Sequence, residues 1–372
     1  MKKQIKRITA VAAAAALAIS FTFPAELGLA DLGVGGNAIA ASAASSGNCG
    51  DSGSNVTWSL DDNGTLTISG SGKIEDYRSD IDQPWYSNRS DITSVVIEPG
   101  VTSIGSLAFY KCSNLTSITI PSGLTSIGEM AFFNCSALTS VTIPNGVISI
   151  GNFAFGSCTG LKSITIPSSV TSIENNIFQD CTGLTNITVD SSNPSFCSES
   201  GVLFNKDKTT LIYCPRRKTG SYTIPDGVTA IGDYAFYSCT SLTSINIPSS
   251  ITSIGNQAFW HCRSLTSIII PNSVTSINNV VFTKYTNLTI YCEQGSYAET
   301  YAKTNNIPII YFAIKEESLN TDSNADTVDG KHSTDFVYND TTRYTSVSSL
   351  PSQTGMYYIY SSEITGTLAT FA

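Results

Sequence analysis

The feature that most constrains this chain is an internal repeat of constant length. The tetrapeptide Thr-Ser-Ile-Gly, or a near copy of it, begins at residues 102, 125, 148, 171, 229, 252 and 275. Phenylalanine recurs with the same spacing from Phe109 to Phe282, and leucine recurs with it from Leu115 to Leu288. A unit this short cannot bury its apolar side chains alone, so the copies must stack around one continuous core. The period therefore predicts a solenoid.

One copy, residues 115–137, shows how each coil is expected to fold. Leu115, Ile118 and Ile120 have the L-x-x-L-x-L spacing of a leucine-rich repeat strand. Alternation turns Ile118 and Ile120 inward, and Pro121 ends the strand because it has no N–H group to donate. The expected inward positions further along the coil are Leu124, Ile127, Ala131 and Phe132. The fold class we predict is a β-rich solenoid, a leucine-rich repeat with 23-residue coils.

The period is interrupted once, between the copies that begin at 171 and 229. The additional segment, 184–218, begins like another strand and then diverges. We interpret it as one irregular, enlarged coil that carries a hairpin. Insertions in solenoids often bind ligands, so this segment is a candidate site. A spacer without a binding role is the alternative interpretation.

The ends of a solenoid need caps, because an open end exposes core side chains and strand edges. Two strand-like runs flank Asp61-Asp-Asn-Gly64, which predicts a hairpin within an N-terminal β cap. The sequence Ser296-Tyr-Ala-Glu299 is a capping box, which predicts a C-terminal capping helix over 296–305. The predicted domains are a signal peptide at 1–43, the β cap at 44–91, the solenoid at 92–312, a linker at 313–336 and a partial β-rich module at 337–372.

The N-terminal residues have the order of a secretory signal peptide. Four basic residues between Lys2 and Arg7 precede an apolar run from Ile8 to Phe23, and small residues follow up to Ala43. An uncleaved membrane anchor is the alternative, although the run is short and interrupted. We expect cleavage near Ala40 or Ala43, no membrane span after cleavage, and a secreted, extracellular or cell-surface location.

The chain is acidic, with a net charge of −9. Residues 1–43 hold four basic and two acidic side chains, so their removal makes the net charge about −11. Such a field repels a phosphate backbone, and nucleic acid is therefore not an expected partner. We expect a monomer whose ligand is an extracellular protein or a glycan.

These repeats resemble the BspA-type leucine-rich repeat family of bacterial surface proteins. The resemblance covers residues of about 50–312 and rests on the seven repeats, on Asn193-Pro194 with Gly201-Val-Leu-Phe204, and on Gly295-Ser-Tyr-Ala298. It implies adhesion to host or bacterial surfaces, and it names no ligand. A second and shorter resemblance lies at 325–336, which is similar to a motif of phage tail-fibre proteins.

Cysteines recur at one repeat position and are the first candidates for chemistry. They are Cys112, Cys135, Cys158, Cys181, Cys239 and Cys262. Coil stacking about 5 Å apart permits disulfides or a ladder of thiols. We favour thiols in a packing position, because Tyr285 fills that position in the seventh copy. Cys197 and Cys214 are the pair best placed for a bridge. We expect no catalytic residue, no cofactor and no metal, since nucleophile-elbow, phosphate-loop and zinc motifs are absent from the sequence.

The candidate binding residues form an aromatic row, two positions before each ladder cysteine. Its members are Tyr110, Phe133, Tyr237 and Trp260, and other copies have Gly156 and Gln179 there. Aromatic side chains exposed in a row would anchor a protein or a glycan surface. Partial burial against the neighbouring coil is the alternative. His261, next along the chain, occupies a position that varies between copies.

Together these patterns favour a non-catalytic protein that mediates adhesion by binding host or bacterial surface proteins or glycans. The alternative is a rigid structural spacer that presents a phage-tail-like C-terminal attachment module. An extracellular enzyme is a third hypothesis, which the lack of catalytic motifs disfavours.

Overall fold

The computed structural model describes residues 45–79, 81–278, 280–282 and 287–315, and beyond them the backbone of three short strands. Residues 1–43, interpreted as a signal peptide, lie outside the described residues. The tail-fibre-like motif at 325–336 also lies outside them, apart from Phe336. The described residues form a β-solenoid with one α-helix, which confirms the predicted leucine-rich repeat architecture.

The solenoid begins with an antiparallel meander that leads into parallel coils. Its elements are β1 (Ser45–Gly50), β2 (Gly53–Leu60), β3 (Thr65–Gly70), β4 (Gly72–Lys73), a 3-10 turn (Tyr86–Asn88) and β5 (Ser94–Ile97). β1, β2 and β3 pair antiparallel, and β3 then pairs in parallel with β5. The Asp61 carboxylate accepts hydrogen bonds from the N–H groups of Asn63 and Thr65 (3.0 and 2.8 Å), which fixes the turn between β2 and β3.

Most coils of the first run contribute short strands that pair in parallel with strands of other coils. The strands are β6 (Val101–Ile104), β7 (Ser117–Thr119), β8 (Ser126–Ile127), β9 (Ser149–Ile150), β10 (Ser163–Ile166), β11 (Ser172–Ile173) and β12 (Asn186–Val189). Residues at the same repeat position pair, so Ile104 lies beside Ile127 and Ile127 beside Ile150. Ile118 packs partly buried against the core while Ser117 is exposed, as the alternation predicts.

The segment 184–218 is a layer of the stack. After β12 it forms β13 (Phe196–Glu199), β14 (Val202–Asn205) and β15 (Thr210–Tyr213), which pair antiparallel in order, and β16 (Gly220–Thr223) follows. Leu203 packs with the core of the preceding coils, whereas Val202 and Phe204 pack with the core of the following coils. The enlarged coil therefore divides the hydrophobic core in two and is packed on both faces.

Regular coils resume after the enlarged coil and end at a helix. The elements are β17 (Ala230–Ile231), β18 (Leu242–Asn246), β19 (Ser253–Ile254), β20 (Ser267–Ile269), β21 (Ser276–Ile277), β22 (Thr289–Cys292), α1 (Tyr297–Thr304), β23 (Ile309–Lys315), β24 (Phe336–Tyr338), β25 (Arg343–Tyr344) and β26 (Met356–Tyr360). β15 pairs in parallel with β17, which joins the enlarged coil to this run. β23 pairs with β22 and reaches Lys315, inside the segment interpreted as a linker.

The third side of each coil is a ridge of tight turns, which runs from Leu107 to Lys111 in the first coil. Leu107, Phe109 and Lys111 each donate an N–H group to a carbonyl in the ridge of the next coil, at 2.8 Å. The coils whose ridges begin at Met130 and Tyr234 repeat this pattern. All N–H groups of this ladder point toward the next coil, so the peptide dipoles align in the way they do in an α-helix.

In six of the described coils, two residues of the ridge have left-handed backbone conformation. Positive φ recurs first at Leu107, Met130, Phe153, Asn176, Tyr234 and Gln257, and again at Lys111, Asn134, Ser157, Asp180, Ser238 and His261. The second position holds mostly small polar residues, which tolerate this conformation well. The first position includes bulky Phe153 and Tyr234, for which the left-handed conformation is strained. Hydrogen bonds to neighbouring coils maintain this strained conformation.

A column of aromatic rings lies beneath the ridge. Its members in order are Trp85, Phe109, Phe132, Phe155, Phe178 and Tyr213, and then Phe236, Phe259, Phe282 and Tyr301. The ring centroids of Phe109 and Phe132 are 5.3 Å apart. Tyr213 supplies the ring in the enlarged coil, and its hydroxyl donates to the Phe178 carbonyl (2.7 Å). The column thus runs past the end of the first run of coils.

The N-terminal cap supplies donors to the carbonyl end of the ladder. The indole N–H of Trp85 donates to the Ala108 carbonyl (2.9 Å), and the Gln83 amide donates to the Leu107 carbonyl (2.7 Å). Both donors belong to buried residues. The cap therefore matches the polarity of the ladder at the first coil, before which the described residues form no ridge.

Helix α1 closes the other end through its capping box. The Ser296 hydroxyl accepts the Glu299 N–H (3.2 Å), and the Glu299 carboxylate accepts the Gly295 N–H. Hydrogen bonds from Lys303, from Tyr311 and from the Gly295 backbone lower the pKa of Glu299 from 4.5 to about 2. The cap thus depends on a single ionised carboxylate.

We expect Phe132→Ala to lower the free energy of unfolding by about 3–5 kcal/mol, because it leaves a cavity inside the aromatic column. Urea denaturation followed by circular dichroism measures the loss. The control is Ile148→Ala, whose side chain is 52% exposed and whose cost should stay within about 0.5 kcal/mol. Equal losses in the two variants would contradict a continuous column.

We expect Glu299→Gln to lower the melting temperature at neutral pH. Because the folded-state pKa of Glu299 lies below its ordinary value, the stabilisation by its charge is complete above pH 4.5 and is lost as the pH falls to about 2. The gap between wild type and variant should therefore close across that range in thermal unfolding. Glu98→Gln, at an exposed position, serves as the control. A gap that is unchanged at pH 2 would refute this role.

Candidate binding surface

The structure places all four members of the aromatic row on the ridge. Tyr110, Phe133, Tyr237 and Trp260 are each half-buried, so each ring presents one part to solvent and packs the rest against neighbours. The two coils with Gly156 and Gln179, together with the enlarged coil, separate the row into two groups.

The first group is the N-terminal aromatic cluster, formed by Tyr110, Phe133 and Phe153. The rings of Tyr110 and Phe133 stack at 5.4 Å and 15°, and Phe153 meets Phe133 edge-on at 6.4 Å. Phe133 lies over Gly156, where a β-carbon would come within 2.7 Å of its ring. The Lys111 ammonium lies 4.9 Å from the Tyr110 centroid. Phe133 therefore packs directly on the backbone of Gly156, and these contacts hold the cluster in one arrangement.

The second group is the C-terminal aromatic cluster, formed by Tyr234, Tyr237, Trp260 and His261. The His261 ring lies edge-on between Tyr237 (6.3 Å) and Trp260 (5.6 Å), and Tyr234 is 5.9 Å from Tyr237. Burial, followed by the Asp180 carboxylate, raises the pKa of Tyr237. This cluster combines apolar rings with hydroxyl, indole and imidazole groups.

Three cluster members, Phe153, Tyr234 and His261, were not among the residues predicted from the sequence. Phe153 and Tyr234 occupy the first left-handed position of the ridge, which is not aromatic in other coils. A tight turn brings each of them beside the row. In this turn, the carbonyl of the first residue accepts the N–H of the residue three positions later, as the Tyr234 carbonyl accepts the Tyr237 N–H (2.9 Å). An i, i+3 search for aromatic pairs around the row would have found Tyr234.

A basic cleft of about 320 Å³ lies beside the enlarged coil. Its lining residues are Thr182, Arg216, Arg217, Thr219, Thr240 and Ser241. The Arg216 guanidinium pairs with Asp180 (2.6 Å) and donates through Nε to the Ser238 carbonyl (3.0 Å). Arg216 thereby ties the last coil before the enlarged coil to the first coil after it.

The enlarged coil concentrates positive charge on an acidic chain. Five of the 20 basic residues lie between Lys206 and Lys218, a segment that contains one acidic residue. Lys206 donates to the Asn193 carbonyl and Lys218 to the Ser200 carbonyl (2.8 Å), so both are engaged in the structure of the coil. The exposed Arg217 side chain has no partner among the described residues.

The ladder cysteines are thiols buried beneath the ridge, and Cys197 and Cys214 are thiols as well. Four ladder thiols donate to a phenylalanine carbonyl of the preceding coil, namely Cys135 to Phe109 (3.2 Å), Cys158 to Phe132 (3.1 Å), Cys181 to Phe155 (2.9 Å) and Cys262 to Phe236 (3.0 Å). Burial raises the pKa of Cys112 and Cys158 to about 12. A thiol with such a pKa is a poor nucleophile at neutral pH.

Within the described ranges, no group of histidine, cysteine and carboxylate side chains is arranged to hold a metal ion. In the same part of the chain, no helix has the length and apolar character needed to cross a bilayer.

The family model of the BspA type leucine-rich repeat region matches residues 79–205 and 213–328, with six copies. The chain belongs to this family. The match confirms the resemblance carried by the repeats, and the gap between its two parts, 206–212, falls inside the enlarged coil. The family is a repeat scaffold. None of the comparisons confirms the tail-fibre-like motif at 325–336, whose first residues the family match includes.

Several solved structures are similar to this chain. A leucine-rich repeat protein from Eubacterium ventriosum is 31% identical with a TM-score of 0.61, and the match covers 73% of this chain and 79% of that one. A leucine-rich cell surface protein from Faecalibacterium prausnitzii is 26% identical with a TM-score of 0.42, and the match covers 69% and 93%. No curated protein matches the chain.

We expect iodoacetamide to modify Cys197 faster than any other cysteine of the native protein, because Cys197 is partly exposed and the other nine are buried. Peptide mass spectrometry after timed labelling gives the order of modification. Labelling in denaturant is the control, in which all ten thiols should react alike. Disulfide-linked ladder peptides from the untreated protein would contradict the thiol ladder.

Proposed function

We propose that this chain is an exported, cell-surface or secreted protein that binds an extracellular protein or glycan through its ridge and performs no catalysis itself. Membership of the BspA-type family supports a surface role, and the signal-like order of residues 1–43 supports export. The acidic net charge of −9 disfavours nucleic acid as the ligand.

The observation that carries the proposal is the pair of aromatic clusters on the ridge. Aromatic rings supply large contact areas and have few torsions to immobilise on binding. Tyr110 and Phe133 are already fixed by stacking, and His261 fixes Tyr237 and Trp260 relative to each other. A preorganised surface of this kind loses little conformational entropy when a ligand binds.

The C-terminal aromatic cluster is the better suited of the two to a glycan or a polar protein surface. Tyr234, Tyr237 and Trp260 offer hydroxyl and indole groups beside apolar ring faces, whereas Phe133 and Phe153 offer apolar faces alone. Rings that combine an apolar body with a polar group are enriched in binding hot spots.

A non-catalytic role is supported by the state of the most nucleophilic side chains. The ladder thiols lie in the core, and their raised pKa keeps them protonated at neutral pH. The cysteine positions of the repeat contribute to packing, and the variable positions of the ridge are available for recognition.

We expect Phe133→Ala or Trp260→Ala to weaken binding of the ligand about 10-fold or more, because each removes a preorganised ring from the surface. The ligand is first found by screening the chain without residues 1–43 against a glycan array and immobilised extracellular matrix proteins, and biolayer interferometry then gives affinities. Gln179→Ala is the matched control, since Gln179 occupies the same repeat position without a ring.

The proposal fails if both ring variants bind like the control. Binding that persists in the ring variants but disappears when residues 337–372 are removed would instead support the spacer hypothesis, in which the solenoid presents a C-terminal module. Hydrolysis of a screened glycan by the purified chain would contradict the non-catalytic role.

A further inference from the structure

The hydrogen-bond ladder of the ridge is interrupted at the enlarged coil. Asn176, Phe178 and Asp180 occupy the repeat positions whose N–H groups donate to the next ridge in other coils, and the described part of the chain offers their N–H groups no acceptor. The ladder restarts where the Cys214 N–H donates to the Ala235 carbonyl (2.7 Å). Aligned peptide groups leave partial positive charge where their N–H ends are unpaired. The interruption therefore presents a weakly positive backbone edge toward the enlarged coil.

The basic cleft lies at this interruption. Thr182 comes from the coil before it, and Thr240 and Ser241 come from the coil after it. Thr182 and Thr240 occupy the same repeat position on either side of the enlarged coil. In consecutive regular coils, residues at this position would be neighbours, but here the enlarged coil separates them. The cleft thus exists only because the period is broken at this point.

The residues that line the cleft carry hydroxyl and guanidinium groups. Its four hydroxyl groups, on Thr182, Thr219, Thr240 and Ser241, belong to exposed residues and can each donate and accept hydrogen bonds. The volume of about 320 Å³ is at the lower end of the range of about 300–1,000 Å³ for ligand sites. Such a lining suits a small polyhydroxylated group rather than an apolar one.

The two arginines of the cleft have different roles. Arg216 is half-buried and its charge is compensated by Asp180, so it fixes the wall of the cleft. Arg217 is exposed, and no carboxylate of the described residues pairs with it. An uncompensated guanidinium beside a group of hydroxyls recognises an oxyanion through two parallel N–H donors.

We propose that the cleft binds an acidic sugar, whose sulfate or carboxylate pairs with Arg217 and whose hydroxyls bond to the threonine and serine side chains. A long polyanion such as nucleic acid is disfavoured, because the net charge of −9 repels it outside this basic region. The site is distinct from the aromatic clusters, and its test does not depend on the ring variants.

The test uses the whole chain without residues 1–43 and isothermal titration calorimetry. The probes are a sulfated disaccharide, its unsulfated counterpart, a uronic acid and inorganic sulfate. We expect the sulfated disaccharide or the uronic acid to bind, with an affinity that falls as salt is added, and the neutral disaccharide to bind at least about 10-fold more weakly.

Arg217→Ala should weaken binding of the acidic probe about 10- to 100-fold. Arg217→Lys should restore part of the affinity, since it keeps the charge and loses the paired donors. The matched control is Arg263→Ala, which removes an exposed arginine from the repeat position of Thr240 one coil further on, outside the cleft. Arg263→Ala should bind within about twofold of wild type.

An equal loss in Arg217→Ala and Arg263→Ala would overturn the site, because it would show only a general effect of charge. Absence of binding by both acidic sugars would overturn it as well. Inorganic sulfate that binds as tightly as the sulfated disaccharide would overturn the assignment of a sugar. Unchanged melting temperatures in all three variants establish that the differences arise from the site.

Discussion

The structure depends on backbone hydrogen bonds that repeat from coil to coil, both along the ridge and between the parallel strands. Because each coil pairs with another copy of the same repeat, side chains at one repeat position contact side chains of the same type. Phe132 stacks on Phe109 and Phe155, and Ile127 lies between Ile104 and Ile150. The ladder of the ridge has a direction, so both ends need partners of the correct polarity. Trp85 supplies a donor at the front for that reason.

The sequence predicts the regular coils well, because the period itself identifies the inward positions. Leu124, Ile127 and Phe132 are buried as the pattern requires. The pattern predicts nothing where residues depart from the period. Tyr213 continues the aromatic column from a strand whose pairing with β17 is not encoded in any local motif. Likewise, the ring partners Phe153 and Tyr234 arise from turn geometry, and the cleft depends on Thr182 and Thr240, which are distant in the chain.

Recognition and architecture occupy different positions of the repeat. The ladder cysteines and the stacked phenylalanines are common to most coils and serve the core, so they cannot distinguish one ligand from another. The variable positions of the ridge and the enlarged coil are the places where this chain differs from a uniform solenoid. The two proposed surfaces adjoin, because Arg216 donates to the carbonyl of Ser238, the residue that follows Tyr237 in the C-terminal aromatic cluster.

Residue-resolved amide hydrogen exchange tests this account of an interrupted ladder most directly. The N–H groups of Phe132, Phe155 and Phe236 donate to the next ridge, and we expect them to exchange slowly. Phe178 has the same repeat position and is equally buried, but the described residues give its N–H no acceptor, so its amide should exchange at least about 10-fold faster than theirs. Equal protection at all four positions would show that the ladder continues through the enlarged coil, which would contradict the interruption on which the cleft depends.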